Sequence, residues 1–314
     1  MLRQFYIYFF ALYGLILVSC GSDESASYCP EYPCRIDEGE GSILRNRTGW
    51  QADKEDISDV HKDEYIPDGL LPERISLEDK FPPIGNQGQY GTCVAWATGY
   101  NLKTSLNAAE RGWSSAELSD AQNQTSPKDL WFAIDNSKKG TQCGGASIVD
   151  ALNALVSKGA ASVSSVPYKD LGNCFGPAVG DEFNRLASYS VIAYNYALVG
   201  KAGSRGMALE NFKGYLSQGI PILIGAKLGD RFVQWNSASV ISSDTYNDPN
   251  MQNAFHAMVL VGYDDGKEAF RVRNAWGAAW GDEGSIWVDY DFFLGNFCFM
   301  AFIAKNQQLI IIPF

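Results

Sequence analysis

The spacing of apolar residues changes near residue 220, and this change constrains the fold more than any other feature. Before it, apolar side chains recur at helical spacing in a run that Gly159 ends: Ile148, Val149, Leu152, Leu155 and Val156. After it, short apolar runs at 222–224 and 258–261 are typical of buried strands, and residues 270–276 alternate as a half-buried strand does. The pattern predicts an α+β fold with a mainly helical first half, a mainly antiparallel second half and a cleft between two subdomains.

Local signals mark three further helices. Cys93 opens a helix that is predicted to run toward Glu110. Residues 126–129 (Ser-Pro-Lys-Asp) supply a hydroxyl cap, a proline in the first turn and an acid near the positive end of the helix. Apolar residues within 209–216 indicate a third helix, which Gly219 ends.

The N-terminus predicts a secreted, lipid-anchored protein. Residues 5–18 form an uncharged apolar run that suits the core of a signal peptide and is short for a membrane span. Residues 17–20 (Leu-Val-Ser-Cys) resemble a bacterial lipobox, which implies a signal peptide over 1–19 and lipidation of Cys20. We therefore expect a cell-envelope protein, at the outer membrane or surface of a bacterium. A plain secretory signal is the alternative.

Residues 20–70 are rich in Ser, Gly, Asp and Glu and are predicted to form an acidic tether, with an ordered piece around 50–60. A globular domain is expected over 71–314. Residues 50–67 are also a candidate for a short pro-segment that lies across the cleft.

Composition and charge exclude several classes of partner. The 314 residues carry a formal net charge of −11, which repels phosphate backbones and excludes nucleic acid as an expected partner. The two histidines, His61 and His256, are too few for a metal site built on several imidazoles. We expect a monomer without metal or cofactor.

Cys93 is the strongest candidate for a reactive group. A helix N-terminus and a nearby imidazolium lower the pKa of a thiol and make it nucleophilic. A buried structural cysteine is an equally common outcome at such a position. His256 precedes a buried strand and Asn274 lies on the next one, so an amide can orient an imidazole. The three residue types together fit a nucleophile, a base and an orienting group.

Three blocks of sequence resemble the papain-like cysteine peptidases and occur in the order of that family. They are residues 87–97 around Cys93, 256–263 after His256, and 273–284 around Asn274. Residues 71–84 and 143–145 are also similar, so the resemblance spans roughly 71 to 305. It implies the papain-like fold, with a β-barrel-like second half and the active site in the cleft, and cleavage of peptide or protein substrates.

The resemblance also implies a role for each matching residue. Cys93 would be the nucleophile and His256 the general base and acid, with Asn274 orienting the imidazole. Gln87, six residues before Cys93, would donate its amide to the oxyanion.

Further roles follow from the same resemblance. Trp276 would cover the hydrogen bond between His256 and Asn274, and Gly144 and Gly145 would pair their backbone with an extended substrate. Core packing is the alternative for Trp276, and a tight turn is the alternative for the two glycines.

The cysteines depart from the family pattern, because Tyr90 stands where many relatives have a cysteine. A bridge between Cys143 and Cys174 and another between Cys29 and Cys34 are conceivable, and Cys298 is expected to be a buried free thiol.

Two other functions share these residues. One is a catalytically silent binding module on the same fold. The other is an acyl transferase or peptidoglycan amidase, because a thiolate, a base and an oxyanion hole serve any acyl transfer.

Overall fold

A computed structural model describes residues 48–66, 69–140, 143–169, 171–248 and 254–307. All of them belong to one compact unit, Asp37–Phe314. The predicted signal peptide, the predicted lipidation of Cys20 and the conceivable bridge between Cys29 and Cys34 lie outside the described residues. No helix among the described ranges combines the length and the apolar content that crossing a bilayer requires.

The helix predicted at Cys93 is confirmed. Helix α1 comprises an α-helical turn Cys93–Ala95, a π-helical stretch Trp96–Lys103 and a final α-helical part Thr104–Arg111. Gly112 ends it in the left-handed region, with φ of 66°. The helix therefore holds Cys93 at its first position, where backbone N–H groups have no partner within the helix.

The other predicted helices are also present. The remaining helices of the described ranges are α2 (Ser115–Ser119), α3 (Pro127–Ala133), α4 (Ile148–Ser157), α5 (Leu209–Ser217), α6 (Asp230–Val233) and α7 (Tyr290–Phe292). The hydroxyl of Ser126 caps α3 by accepting the N–H of Asp129 at 3.1 Å, as its position in the sequence predicts. Gly159 and Gly219, after α4 and α5, have φ of 68° and 77°.

The strands of the described ranges form one sheet with the order β3-β2-β9-β4-β6-β7-β8-β5, and β1 pairs with β6. Their bounds are β1 (Arg74–Ser76), β2 (Leu186–Asn195), β3 (Ser204–Arg205), β4 (Ile222–Lys227), β5 (Val240–Ile241), β6 (Phe255–Asp264), β7 (Ala269–Arg273), β8 (Ser285–Asp289) and β9 (Cys298–Asn306). Described neighbours are antiparallel except β5 and β8. The α+β prediction is confirmed.

The interior of the described part contains two large apolar clusters, and β6 contributes to both. Ala257, Val259 and Val261 face the cluster that also holds Cys93, whereas Met258 and Leu260 face the other cluster. Both faces of the strand are therefore buried, which explains its uninterrupted apolar run in the sequence.

The prediction of a half-buried strand at 270–276 is wrong. All five residues of β7 are buried, and Arg271 and Arg273 keep only 8% and 5% of their surface exposed. Arg271 pairs with Glu78 and Asp282 at 3.1 and 2.6 Å, and Arg273 donates to Asn101 at 3.2 Å and to the carbonyl of Pro82. These partners compensate the burial of both charges, so alternation with arginine here does not mark a solvent face.

Residues 48–66, called here the N-terminal segment, pack against the domain although their composition resembles that of the tether. Trp50 and Ile57 join the apolar cluster of Cys93, and Tyr65 joins the other cluster. Parallel bridges connect Trp50 with Ala146, and Lys62 with Val191.

The disulfide between Cys143 and Cys174 is present, with 5.2 Å between the two Cα atoms. Cys298 is a buried free thiol, as expected. Cys93 is the other free cysteine of the described ranges.

Candidate active site

The thiol of Cys93 lies at the start of α1 and is fully buried. The backbone N–H groups of Ala257, Gly49, Val94 and Cys93 itself lie close to its sulfur. These N–H groups favour the thiolate, but burial outweighs them and raises the pKa of Cys93 to about 11. The thiol is therefore protonated in this closed arrangement.

The tight turn before Cys93 depends on Gly91. A Cβ at this position would lie 2.6 Å from the carbonyl oxygen of Cys143. A residue with a side chain would therefore push apart the loop that carries Cys93 and the loop that carries Gly144 and Gly145.

His256 is at the start of β6, opposite Ala226 of β4, and is fully buried. Its Nε2 forms a 2.8 Å hydrogen bond with Oδ1 of Asn274. Because an amide oxygen can only accept, Nε2 must carry the hydrogen, which makes Nδ1 the basic nitrogen of the neutral ring. Burial lowers the pKa of His256 to about 4, against the hydrogen bond to Asn274, which raises it.

Asn274 and Trp276 are in the loop after β7, which ends at Arg273. Oδ1 of Asn274 also accepts the N–H of Ala275 at 2.7 Å, so the amide oxygen is held toward the imidazole. The ring of Trp276 lies 4.8 Å from the His256 ring, centroid to centroid, and only 6% of the residue is exposed. Trp276 therefore shields the imidazole, and it also packs against Phe232 and Trp280 as the core-packing alternative expects.

Gln87 is buried next to the same loop. Its backbone N–H donates to the carbonyl of Ala275 at 2.9 Å, and its side-chain Nε2 donates to the carbonyl of Tyr90 at 2.9 Å. An amide nitrogen carries two hydrogens, so the bond to Tyr90 uses one of them. The structure thus brings Gln87, Cys93, His256 and Asn274 together from three separate parts of the chain.

Ala146, the residue after Gly144 and Gly145, pairs its backbone with the N-terminal segment. Its N–H donates to the carbonyl of Gly49 at 2.9 Å, and its carbonyl accepts the N–H of Gln51 at 3.0 Å. Gly145 makes this approach possible, since a Cβ there would lie 2.1 Å from the Gly49 oxygen. Gly144 is exposed beside it.

The N-terminal segment covers Cys93. Gly49 approaches the turn before Cys93 so closely that a Cβ on it would lie 2.0 Å from the carbonyl oxygen of Gly91. Trp50 follows and is 96% buried beside this point, its residual exposure being 4%. Water and an extended substrate are both excluded from the thiol while the segment stays in place.

Glu55 fastens the segment to the domain. Its carboxylate accepts the indole N–H of Trp50 at 2.5 Å and the backbone N–H groups of Ile148 and Val149, at the start of α4, at 2.8 and 2.7 Å. Burial nevertheless raises its pKa to about 7, and the nearby Asp150 contributes in the same direction. Because docking raises the pKa of Glu55, its protonated form stabilises the docked segment. This stabilisation is complete below about pH 4.5 and is lost as the pH rises through about 7.

Four residues of this arrangement are not evident from sequence patterns: Gly49, Trp50, Glu55 and Ala146. Trp50 and Glu55 fall within residues 50–67, the candidate pro-segment across the cleft, but no local pattern in the sequence indicates the contacts that they make. Within the described residues, no group of three or more His, Cys, Asp or Glu side chains is arranged to hold a metal ion.

Comparison with known proteins agrees with this geometry. Cysteine proteinase 1 of Entamoeba histolytica is 27% identical over 228 residues, which cover 71% of this chain and 63% of that protein. Cathepsin B-like CP1 of Giardia intestinalis is 24% identical over 226 residues, covering 68% and 67%. This chain thus spans less than two thirds of the length of the first of these relatives.

Solved structures share the fold. Xylellain, a cysteine protease from Xylella fastidiosa, superposes with a TM-score of 0.67 at 19% identity and covers 84% of this chain and 97% of its own. Procathepsin B S9 from Trypanosoma congolense gives a TM-score of 0.64 at 15% identity, covering 85% and 88%. The family model described as papain family cysteine protease matches residues 71–301. With its α+β fold and with Cys93 and His256 in one buried site, the chain belongs to the papain family of cysteine proteases.

Proposed function

We propose that the protein is a peptidase in which Cys93 attacks the peptide carbonyl and His256 moves the proton. The observation that carries this proposal is the buried free thiol at a helix start, which packs in the same apolar cluster as Ala257, the residue directly after His256. The 2.8 Å bond between His256 and Asn274 supports the base and fixes its tautomer.

The proposed reaction has two stages. The Cys93 thiolate forms a bond to the carbonyl carbon, and the oxyanion is stabilised by the Gln87 amide and the backbone N–H of Cys93. The imidazolium of His256 then protonates the leaving amine, and a thioester remains on the sulfur. In the second stage His256 takes a proton from water, whose oxygen attacks the thioester and releases the carboxylic acid and the thiol.

We further propose that the N-terminal segment keeps this enzyme latent. In the closed arrangement burial shifts the pKa of Cys93 to about 11 and that of His256 to about 4, so both groups are neutral near pH 7. Displacement or cleavage of the segment admits water to both groups and reduces the desolvation penalty of the thiolate–imidazolium pair.

A thiol-directed epoxysuccinyl probe tests the nucleophile. We expect it to label the native chain after limited proteolysis of the segment, and to leave Cys93→Ala unlabelled. Cys298→Ala is the matched control, because Cys298 is the other free and buried cysteine of the described ranges, and it should keep labelling and activity. A folded native protein that is neither labelled nor active after opening of the cleft would support the silent binding module.

A peptide library separates the remaining alternative. We expect Cys93-dependent cleavage of extended peptides, because Ala146 offers both backbone groups for pairing with an extended chain. Cleavage of muropeptides with no cleavage of extended peptides would support the amidase.

We also propose that Cys20 is lipidated and anchors the protein to the cell envelope. The support is the lipobox-like sequence of residues 17–20 after an apolar run. Cys20→Ala should move the protein from the membrane fraction to the soluble fraction, whereas Cys29→Ala, a neighbouring control, should leave it membrane-bound. Equal fractionation of both variants contradicts the anchor.

A further inference from the structure

A cavity of about 370 Å³ opens where β7 and β8 meet residues 78–84 and helix α2. Its volume falls in the range of sites that hold small molecules. The apolar part of its wall includes Phe81, Ile84 and Leu118. Hydroxyl groups come from Ser119 and Ser285. The described residues that line it include none of the four that we propose for catalysis, so the cavity is separate from the candidate active site.

Arg273 is the charged side chain in this wall with unused hydrogen-bond donors. Only 5% of the residue is exposed. Its Nε donates to Oδ1 of Asn101 at 3.2 Å, and its Nη2 donates to the carbonyl of Pro82. The guanidinium also lies over the ring of Phe81, 5.3 Å from the centroid. A guanidinium carries five N–H hydrogens and these bonds use two, so three hydrogens, including both on Nη1, have no acceptor within the described ranges.

Arg273 also lacks an opposite charge of its own. Both of its acceptors are neutral oxygens, and the ion pairs found within the described ranges involve Arg271 but not Arg273. Glu78, whose charge acts on Arg273, is bonded to Arg271 at 3.1 Å. Burial lowers the pKa of Arg273 to about 10, which still leaves it a cation at neutral pH. A buried cation without a counter-ion favours the binding of an anion.

We propose that this cavity binds a small carboxylic acid with an apolar body, whose carboxylate pairs with the guanidinium of Arg273. A carboxylate can accept two parallel hydrogen bonds, one from Nη1 and one from the second hydrogen of Nη2. Ser285 is directly opposite Arg273 in the register of β7 and β8, so it adds a hydroxyl to the same wall. Phe81 and Leu118 would cover the apolar body of the acid. The inference does not depend on the proposed peptidase activity.

The carboxylates around the cavity restrict the charge of the ligand. Glu78 and Asp282 both pair with Arg271, so Arg271 offers no uncompensated positive charge. Glu283 lines the cavity and is exposed, so solvent weakens its repulsion of an anion without removing it. One cation is therefore available for one negative group, and we expect a monocarboxylate to bind better than a dicarboxylate.

Calorimetric titration of the full-length protein with N-acetyl-phenylalanine tests the role of the carboxylate. N-acetyl-phenylalaninamide is the matched probe, because it keeps the ring and replaces only the charged group. We expect the acid to bind about 10-fold to 100-fold more tightly than the amide, the contribution of hydrogen bonds to a charged group. Equal binding of the acid and the amide, or a dissociation constant of the acid above about 1 mM, overturns the proposal.

Two further probes define the ligand. Phenylpropionic acid carries no peptide group. If it binds as tightly as N-acetyl-phenylalanine, the site accepts apolar carboxylic acids in general, and if it binds more weakly, the carboxyl end of a peptide is the preferred ligand; both results support the site. Phenylsuccinic acid adds a second carboxylate to the same ring, and tighter binding of this diacid than of phenylpropionic acid contradicts the assignment to a single cation.

Variants of the wall locate the bound acid. Arg273→Lys keeps the charge but loses the two-bond geometry, and it should weaken binding of the acid at least about tenfold. Ser119→Trp fills the cavity from its exposed rim and should abolish binding without altering Arg273. Ala116→Trp is the matched control, because residue 116 is exposed on the same helix and does not line the cavity. It should bind the acid as the parent does.

The charge at the rim gives a last readout. Glu283→Gln should tighten binding of N-acetyl-phenylalanine about twofold to fivefold, the range of an exposed charge interaction, and leave binding of the amide unchanged. If Arg273→Lys loses its cooperative melting transition, Ser119→Trp and Glu283→Gln decide the outcome. Acid binding that persists in Ser119→Trp shows that the acid binds elsewhere and overturns the assignment.

Discussion

Replacement of Trp50 by alanine should expose Cys93 without unfolding the domain. The side chain is 4% exposed, packs against Phe255 and Phe299 and bonds to Glu55. Truncation of such a buried ring to alanine typically costs about 3–5 kcal/mol. Because the contacts with Phe255 and Phe299 join the N-terminal segment to the domain, their loss weakens the closed form relative to the open form.

The size of the effect follows from this energy. Each 1.4 kcal/mol changes an equilibrium constant about tenfold, so the ratio of open to closed protein should rise about 100-fold to 3,000-fold. The alkylation rate of Cys93 should rise in proportion, until the open form predominates and the gain saturates.

Timed alkylation with iodoacetamide at one pH, followed by mass spectrometry of the peptides, measures this rate. Cys298 is an internal control, since it is a fully buried free thiol that reacts only on wider unfolding. Trp113→Ala makes the same chemical change at a partly buried tryptophan whose ring is contacted by Arg111, and it should leave the Cys93 rate unchanged. If Trp50→Ala is folded and both its thiols react as slowly as in the parent, the N-terminal segment does not control access to Cys93.

Three further predictions concern the segment, the oxyanion and the disulfide. Hydrogen–deuterium exchange of the N-terminal segment, corrected for intrinsic rates, should increase from pH 5 to pH 8, because the docking contribution of Glu55 is lost as the pH rises through its pKa of about 7. The rise of the Glu55 pKa from 4.5 to about 7 corresponds to a loss of docking free energy of about 3 kcal/mol. Glu55→Gln is neutral at every pH and should remove the increase in exchange with pH. If the variant shows the same increase, Glu55 is not the group responsible. Gln87→Ala in an opened enzyme should lower kcat about 10²-fold to 10³-fold with a smaller change in KM, and a change confined to KM would argue for substrate binding instead. Reduction of the Cys143–Cys174 bridge, whose partners are 31 residues apart, should lower the free energy of unfolding by about 2–4 kcal/mol in denaturant titrations, with Cys143→Ser/Cys174→Ser insensitive to reductant.

The elements that local patterns predict are those whose signals lie within a few residues. The proline and hydroxyl before α3 and the glycines after α4 and α5 act on their own helix ends, so sequence suffices to place them. Strand β2 lacks such a signal, because its burial alternates irregularly and its pairing with β9 contains two register shifts. Only its partner strand determines which of its residues turn inward.

The chemical identity of the site also comes from the sequence. Cys93, His256, Asn274 and Gln87 occur in blocks whose order and spacing resemble one family, and the structure places them in one buried site. Their proximity depends on the pairing of β4 with β6 and on the loop after β7, which join residues far apart in the chain. Sequence alone therefore names the groups and does not supply their distances.

The protonation state of Cys93, in contrast, depends on the tertiary structure alone. A thiol at a helix start is expected to ionise easily, but the N-terminal segment buries it and raises its pKa to about 11. Desolvation depends on every atom that surrounds a group. The sequence offers residues 50–67 as a candidate pro-segment across the cleft, but no local pattern around Trp50 or Glu55 indicates which atoms they bury. The sequence by itself names the residues that we propose to react, and the packing of residues 48–66 determines that Cys93 is covered and held neutral.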